Sequence, residues 1–216
     1  MIIKGKSLSK IENNTKYYGC TFYLEGSYPS LYLKNCSFDN CSFRSDLFFD
    51  DIDNCTFNNC SFRDVKALFN YKRQVPKEIL SLPITSLNMG AHDMGMAMVL
   101  RNFLQQLPPE IAQLTFLKEL ILDGNQLITL PKEIGKLTSL VKLCLSNNQL
   151  ENIPPEIGNL QNLQYLYLAN NKLTSIPQQI SKLTSLKHLS ISINPISSEE
   201  IEKIKTLLPN CCIEYD

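Results

Sequence analysis

Residues 117–127 read LKELILDGNQL, and the same phrase returns three more times at one constant spacing. The later copies are LVKLCLSNNQL at 140–150, LQYLYLANNKL at 163–173 and LKHLSISINPI at 186–196. A second shared phrase separates them, as LPKEIG at 130–135, IPPEIG at 153–158 and IPQQI at 176–180. Self-similarity at a fixed period of roughly 20 to 50 residues predicts a solenoid in which each repeat forms one coil.

Within each copy, the letters fit a short strand followed by a turn. The leucines alternate with other residues in the LxL core, as they must in a strand with one buried face. The proline of the second phrase favours an extended entry into a helical first turn. The asparagine after the strand can satisfy backbone groups that the turn would otherwise bury unpaired. Because coils stack one strand apart, ~4.8 Å, we expect a structural ladder of Asn102, Asn125, Asn148, Asn171 and Asn194.

These copies resemble the bacterial leucine-rich repeat proteins of the 23-residue type, whose repeat reads LxxLxLxxNxLxxLPxEIGxL. The resemblance covers about two-thirds of the chain and implies an α/β-type repeat solenoid with a parallel, concave β-sheet. It also implies a scaffold on which the recognition surface varies, so the fold is specified more sharply than the function.

The segment 1–70 carries a different repeat, a tripeptide of Cys, a small hydroxyl residue and Phe. It begins at Cys20, Cys36, Cys41, Cys55 and Cys60. The period is five within a larger one near twenty, which predicts a square coil with four sides of equal length. Leu24–Lys34 and Asp46–Asp53 depart from this pattern. The segment resembles pentapeptide-repeat proteins, which implies a short right-handed β-helical cap over 1–70, with Phe and Cys in its interior.

The cysteine spacing argues against a metal site. Zinc ligands are usually Cys pairs two to four residues apart, often with His, whereas the doubled cysteines here are five apart and the chain has two histidines. Cys144 and His188 share a predicted face but lie two coils apart, ~10 Å between strands, too far for direct proton transfer. The sequence therefore predicts no metal, no cofactor and no enzyme.

The register is ambiguous before the first clear copy. Ile84-x-x-Leu87-x-Met89 could form a strand, but Met94-x-x-Ala97-x-Val99-x-x-Asn102 keeps the 23-residue spacing to Leu117. We favour the second pattern, which gives leucine-rich repeats over 94–196 and a degenerate junction over 71–93. Residues 197–216 should form a C-terminal cap, a helix and a last edge strand, with no further domain after it.

Composition narrows the possible functions. The chain has 216 residues, 21 basic and 21 acidic, for a net charge of zero, which argues against nucleic-acid binding and against a basic membrane patch. We find no apolar run of membrane-span length and no signal-peptide core. The prediction is a cytoplasmic protein, with a secreted effector as the alternative.

The remaining candidate for function is the concave face, formed by the side chains between the core leucines. An aromatic pair beside charges is typical of a recognition surface. We expect this non-enzymatic scaffold, most simply a monomer, to bind another protein. The alternatives are a carbohydrate-binding module that uses the same face and a structural module that self-associates. The candidate binding residues are Glu119, Ile121, Lys142, Cys144, Tyr165, Tyr167, Lys187 and His188.

Overall fold

The computed structural model describes residues 1–23, 30–43, 47–53, 55–58, 60–62, 66–69, 86–88 and 104–216. Its main element is a parallel sheet of nine strands, in which each strand pairs with the next coil's strand. The nine strands, in spatial order, are β5 (Ser30–Lys34), β8 (Leu47–Asp53), β11 (Lys66–Phe69), β12 (Ser86–Asn88), β13 (Glu119–Ile121), β14 (Lys142–Cys144), β15 (Tyr165–Tyr167), β16 (His188–Ser190) and β17 (Cys212–Glu214).

On the side opposite the sheet, each leucine-rich coil makes one short 3-10 turn. Among the described residues, these turns are Pro109–Gln113, Lys132–Lys136, Pro155–Asn159 and Gln178–Lys182. Each follows an extended proline, as at Pro131 with φ −68° and ψ 145°. In a coil of this length few residues remain for the side opposite the sheet. The helical turn that the sequence predicts is therefore a single 3-10 turn. The leucines and isoleucines that the repeat pattern turns inward, such as Leu120, Leu122 and Ile134, fill the interior and are fully buried, which confirms the predicted leucine-rich repeat solenoid.

The structure corrects the register before the first clear copy. The strand beside β13 is β12, with Leu87 opposite Leu120, so it lies inside the range that we assigned to the junction. At Leu104 the described chain is in the register of the repeats, since its N–H donates to Asn125 Oδ1 at 3.1 Å. The chain from Leu87 to Leu104 is ten positions longer than the equivalent stretch from Leu120 to Leu127, so the first coil contains an insertion of that length. Asn102, and the rest of 89–103, lie outside the described residues.

The N-terminal coils carry two further parallel ladders. One joins β1 (Ile2–Lys4), β3 (Lys16–Tyr18), β6 (Ser37–Asp39) and β9 (Thr56–Asn58). The other joins β2 (Ser7–Leu8), β4 (Thr21–Phe22), β7 (Ser42–Phe43) and β10 (Ser61–Phe62). Lys16 pairs with Ser37, and Ser37 with Thr56, so both of these coils are close in length to the larger period of the sequence.

These coils contribute to the main sheet as well as to the two ladders. Among the described residues, each coil from Lys16 to Phe69 has three strands, and the third belongs to the nine-stranded sheet. The two segments that departed from the pentapeptide pattern supply β5 and β8, which have 5 and 7 residues. Through these two strands the N-terminal coils continue the sheet of the leucine-rich coils. The N-terminal segment is thus joined to the repeats by backbone pairing.

Aromatic rings stack in the interior of the N-terminal coils. Tyr17 stacks on Phe38 with ring centroids 5.1 Å apart, and Phe22 stacks on Phe43 at 4.8 Å. All four residues are at most 1% exposed. Between these two ladders the chain turns at residues with a left-handed backbone conformation, namely Gly19 with φ 58° and Asn40 with φ 53°. Residues other than glycine and asparagine are strained in this conformation.

The chain ends in a helix and an edge strand, in the order that the sequence predicted. Helix α1 spans Ser198–Leu207, and the Ser197 side chain caps it by accepting a hydrogen bond from the Glu200 N–H at 3.2 Å. Ile201 and Ile204 are buried against the last coil. β17 then pairs with β16 and forms the last strand of the described sheet.

Candidate functional site

The concave face is built from two rows of side chains that cross strands β13 to β17. Parallel pairing without offset puts equivalent residues side by side, and alternation sends the residue between them into the core. The first row is Glu119, Lys142, Tyr165, His188 and Cys212. The second row is Ile121, Cys144, Tyr167, Ser190 and Glu214.

Four of these side chains form a connected group, which we call the central cluster: Lys142, Tyr167, His188 and Glu214. The Lys142 Nζ lies 6.0 Å from the Tyr167 ring centroid. The Tyr167 and His188 rings lie 5.2 Å apart and are tilted by 46°. His188 Nε2 is 3.4 Å from Glu214 Oε2. The cluster therefore links cationic, aromatic and anionic groups across four adjacent strands.

The members of the central cluster are not part of the leucine core. Lys142, Tyr167 and His188 are half-buried, and the Glu214 side chain is 57% exposed. The leucines between them, such as Leu166 and Leu189, are fully buried. The surface can consequently vary without disturbing the packing beneath it.

The remaining candidate residues surround the cluster. Glu119, Ile121 and Tyr165 are half-buried in the two rows. Lys187 is exposed but precedes its strand, so it lies beside the rows rather than within them. All three half-buried residues can offer a partner only part of their side chain.

Cys144 corrects the expectation that the row residues face solvent. It lies in the second row, but it is only 6% exposed. Burial, with the nearby charge of Asp123, raises the pKa of the Cys144 thiol to about 12. The thiol is therefore neutral at physiological pH and contributes little contact area.

Two further residues of this face are absent from the residues predicted from the sequence. Cys212 and Glu214 lie on β17, which extends both rows by one strand. The sequence predicts an edge strand there, and the alternation of Cys212, Ile213 and Glu214 places the outer two on the concave face. That alternation was the available signal, because Ile213 takes the position opposite Leu189.

Aspartates border the face where the strands end. Asp123 Oδ1 accepts a hydrogen bond from the Ser146 N–H at 2.7 Å, and Asp216 Oδ2 accepts one from the Ile193 N–H at 2.8 Å. Burial raises the pKa of Asp123, against the opposing effect of its bond to Ser146. These carboxylates join consecutive coils and give the border of the face an acidic character.

The asparagines after the strands hold the coils together behind this border. Asn148 Nδ2 donates to the carbonyl oxygens of Leu122, Leu145 and Ser146, and its Oδ1 accepts from the Leu127 N–H. Asn171 and Asn194 repeat the pattern one and two coils later. Each amide therefore contacts two coils, which keeps the strands of the face in register.

In the part of the chain that the structure describes, no three His, Cys, Asp or Glu side chains are grouped so that they could hold a metal ion. None of the helices described there is both long and apolar enough to cross a membrane.

Comparison with known proteins identifies the class of this fold. The family model described as "Leucine-rich repeat region" matches residues 97–208, and the chain belongs to that family. Leucine-rich repeats commonly serve as scaffolds for protein–protein interaction. A search of curated proteins gives no match.

Solved structures include similar solenoids. A leucine-rich repeat protein of Leptospira interrogans has 30% sequence identity and a TM-score of 0.58, over 92% of this chain and 54% of that one. This chain thus spans about half the length of that protein. The BIR2 ectodomain of Arabidopsis thaliana has 34% identity over 44% of this chain and 51% of that chain, with a TM-score of 0.41. The ectodomain of the receptor kinase SOBIR1, also from Arabidopsis thaliana, has 26% identity over 58% and 75%, with a TM-score of 0.43.

Proposed function

We propose that this protein is a non-enzymatic scaffold that binds another protein through the concave face of its leucine-rich repeats. The central cluster carries the proposal. Lys142, Tyr167 and His188 contact one another across consecutive strands, although the core needs none of them. Aromatic residues that border charged groups contribute strongly to protein interfaces.

The size and charge of the face favour a protein over a sugar as the partner. Five strands at ~4.8 Å spacing give a surface about 19 Å wide, which exceeds a single sugar ring. The cation of Lys142 lies beside the anion of Glu119, and the face also carries the anion of Glu214, which suits a partner with charges of both signs. A carbohydrate would instead need a local site around Tyr165, Tyr167 and His188.

We also propose that the N-terminal coils form a cap of the kind found in pentapeptide-repeat proteins. Cys36 and Cys41, like Cys55 and Cys60, lie five residues apart and are buried together with Phe38 and Phe43. Such a cap would cover the end of the repeats, as terminal units of solenoids must. We further propose a monomer that binds no nucleic acid and works in the cytoplasm, with secretion as an effector as the alternative.

The proposal is tested by comparing three immobilised proteins as bait in a quantitative pull-down. They are the wild type, the double variant Tyr165→Ala/Tyr167→Ala, and Lys136→Ala, which changes an exposed residue of a 3-10 turn on the opposite side. A specific partner is a protein that the double variant loses and Lys136→Ala retains. Both variants should keep the thermal midpoint of the wild type, because neither changes a core residue.

The purified partner is then titrated against all three proteins. We expect the double tyrosine variant to lose ~2 kcal/mol or more of binding free energy, the range of aromatic hot spots, and Lys136→Ala to lose none. Further alanine variants at Glu119 and Glu214, at opposite ends of the rows, separate a wide protein footprint from a local sugar site. Equal affinity of the wild type and the double variant would remove the site from the concave face.

A further inference from the structure

Two pairs of cysteines lie stacked between consecutive N-terminal coils. Cys36 and Cys55 immediately precede β6 and β9, where Ser37 pairs with Thr56. Cys41 and Cys60 immediately precede β7 and β10, where Ser42 pairs with Ser61. Strands in register lie ~4.8 Å apart, which falls within the roughly 4.4–6.8 Å between Cα atoms that a disulfide spans.

Hydrogen bonds also join the two members of each pair. The Cys36 N–H donates to the Cys55 Sγ at 3.4 Å. A hydrogen bond from the Cys55 thiol lowers the pKa of Cys36 to about 6, and one from the Cys60 thiol lowers the pKa of Cys41 to about 7. These hydrogen bonds favour the thiolate of Cys36 and of Cys41, and the thiolate is the nucleophilic form of cysteine.

We propose that Cys36–Cys55 and Cys41–Cys60 are oxidisable dithiols that hydrogen peroxide converts into two disulfides between coils. The thiolate of Cys36 attacks one peroxide oxygen, the O–O bond breaks, and the products are a sulfenic acid and, after protonation, water. The Cys55 thiol then attacks the sulfenic sulfur and displaces a second water. Two thiols and one peroxide thus give one disulfide and two waters, and Cys41 and Cys60 react in the same way.

Burial selects the oxidant. The four cysteines are between 1% and 7% exposed, so a bulky disulfide cannot reach them, whereas peroxide is close to water in size. Two other buried thiols serve as internal controls. Cys20 precedes β4, in register with Cys41 one coil later, but its Sγ donates to the carbonyl oxygens of Ile3 and Tyr18, whereas the side-chain hydrogen bond to Cys41 comes from Cys60. Cys144 is a buried thiol whose pKa is raised to about 12.

The test is disulfide mapping of the wild-type chain after treatment with hydrogen peroxide. Remaining thiols are alkylated in acidic denaturant, and the protein is digested with chymotrypsin. Phe38 separates Cys36 from Cys41 in the sequence, and Phe57 separates Cys55 from Cys60, so the peptides distinguish the pairings. We expect Cys36–Cys55 and Cys41–Cys60 linkages, with Cys20 and Cys144 alkylated. Oxidation of the exposed Cys212 verifies that the peroxide is active.

Alkylation of all four cysteines under conditions that oxidise Cys212 would overturn the proposal, as would linkage of Cys36 to Cys41 or of Cys20 to Cys41. A second measurement is the thermal midpoint, which should rise on oxidation of the wild type because each disulfide joins two adjacent coils. Cys55→Ser should retain only the Cys41–Cys60 linkage, and Cys60→Ser only Cys36–Cys55. If peroxide raises the midpoint of the double variant Cys55→Ser/Cys60→Ser as much as that of the wild type, the two disulfides are not the cause.

Discussion

The side chain of each asparagine after a strand makes hydrogen bonds to the backbone of two coils. Asn148 joins carbonyl oxygens of its own coil to Leu122 of the preceding coil, and it also accepts from the Leu127 N–H of that coil. It is 8% exposed, so water cannot replace these bonds. A buried amide of this kind is required wherever the backbone turns out of a strand without a regular partner.

Asn148→Ala should therefore lower the free energy of unfolding by ~1–3 kcal/mol, since it leaves buried backbone groups unpaired. Urea denaturation followed by circular dichroism measures the change. The control is Asn162→Ala, which removes an exposed amide that makes a single hydrogen bond to the Thr138 carbonyl oxygen. If the two variants were equally stable, the ladder would have no energetic role.

The role of a residue was predictable from the sequence where the backbone requires a particular side chain. It was less predictable where the packing of neighbouring side chains determines it. The position of Asn148 follows from the repeat pattern, because the turn needs an amide there. The side of the sheet on which Cys144 lies follows from strand alternation. Its burial does not, because that depends on the larger side chains beside it. Charges of Asp123, Lys142 and Glu119 act on its thiol, and these belong to two different coils.

At the scale of elements, the packing of the 3-10 turns limits which residues they can contain. Consecutive turns lie in contact, and Gly135 and Gly158 are buried there. A Cβ atom on Gly135 would lie 2.5 Å from the Glu156 carbonyl oxygen. The obstacle is the backbone of the next coil, which cannot rotate away as a side chain could.

Gly135→Ala should accordingly lower the thermal midpoint, because the two turns must move apart and the leucines beneath them lose contact. Differential scanning calorimetry gives the shift. Ser181 occupies the equivalent position in the last turn and is exposed, so Ser181→Ala is the matched control and should change the midpoint little. An unchanged midpoint for Gly135→Ala would show that the coils can separate without loss of stability.

The strand before the first clear repeat shows where sequence patterns fail for an element. Both candidate strands had suitable leucine-like residues, and the 23-residue spacing favoured the later one. The chain instead uses Ser86–Asn88, which pairs with β11 on one side and β13 on the other. A period detects repeats of equal length, so it cannot detect an insertion between a strand and its turn. The pairing with β11 also joins β12 to the other repeat type. The spacing of residues within one repeat type cannot predict such a contact.

At the scale of the molecule, two sequence repeats share one sheet. Coils of the shorter N-terminal period and coils of the longer leucine-rich period both supply one strand each to the same parallel sheet. They can join because strand spacing is set by backbone hydrogen bonds and not by the length of the coil. Each repeat type was recognisable from its letters, but their common sheet required the three-dimensional pairing. Unfolding of such a solenoid is governed by the contacts between neighbouring coils.

β12 connects the N-terminal coils to the leucine-rich coils, because it pairs with β11 on one side and β13 on the other. Leu87 is fully buried and lies between Ala67 of β11 and Leu120 of β13. Removal of its side chain leaves a cavity at the boundary of the two repeat types, and a Leu→Ala change in a core costs ~2–5 kcal/mol. The lost stability is that of the contact between the N-terminal coils and the leucine-rich coils, because the interior of each of these two parts is otherwise unchanged.

Leu87→Ala should therefore split the unfolding of the chain into two transitions, whereas we expect the wild type to unfold in one. The first transition should be that of the N-terminal coils, which no longer gain stability from the repeats. Calorimetry measures the number of transitions, and limited proteolysis at a temperature between them identifies which part is cleaved. Ile128→Ala, at a position 50% exposed in the repeats, should keep the single transition. If Leu87→Ala also unfolds in one transition at the wild-type midpoint, the two repeat types are not coupled through β12.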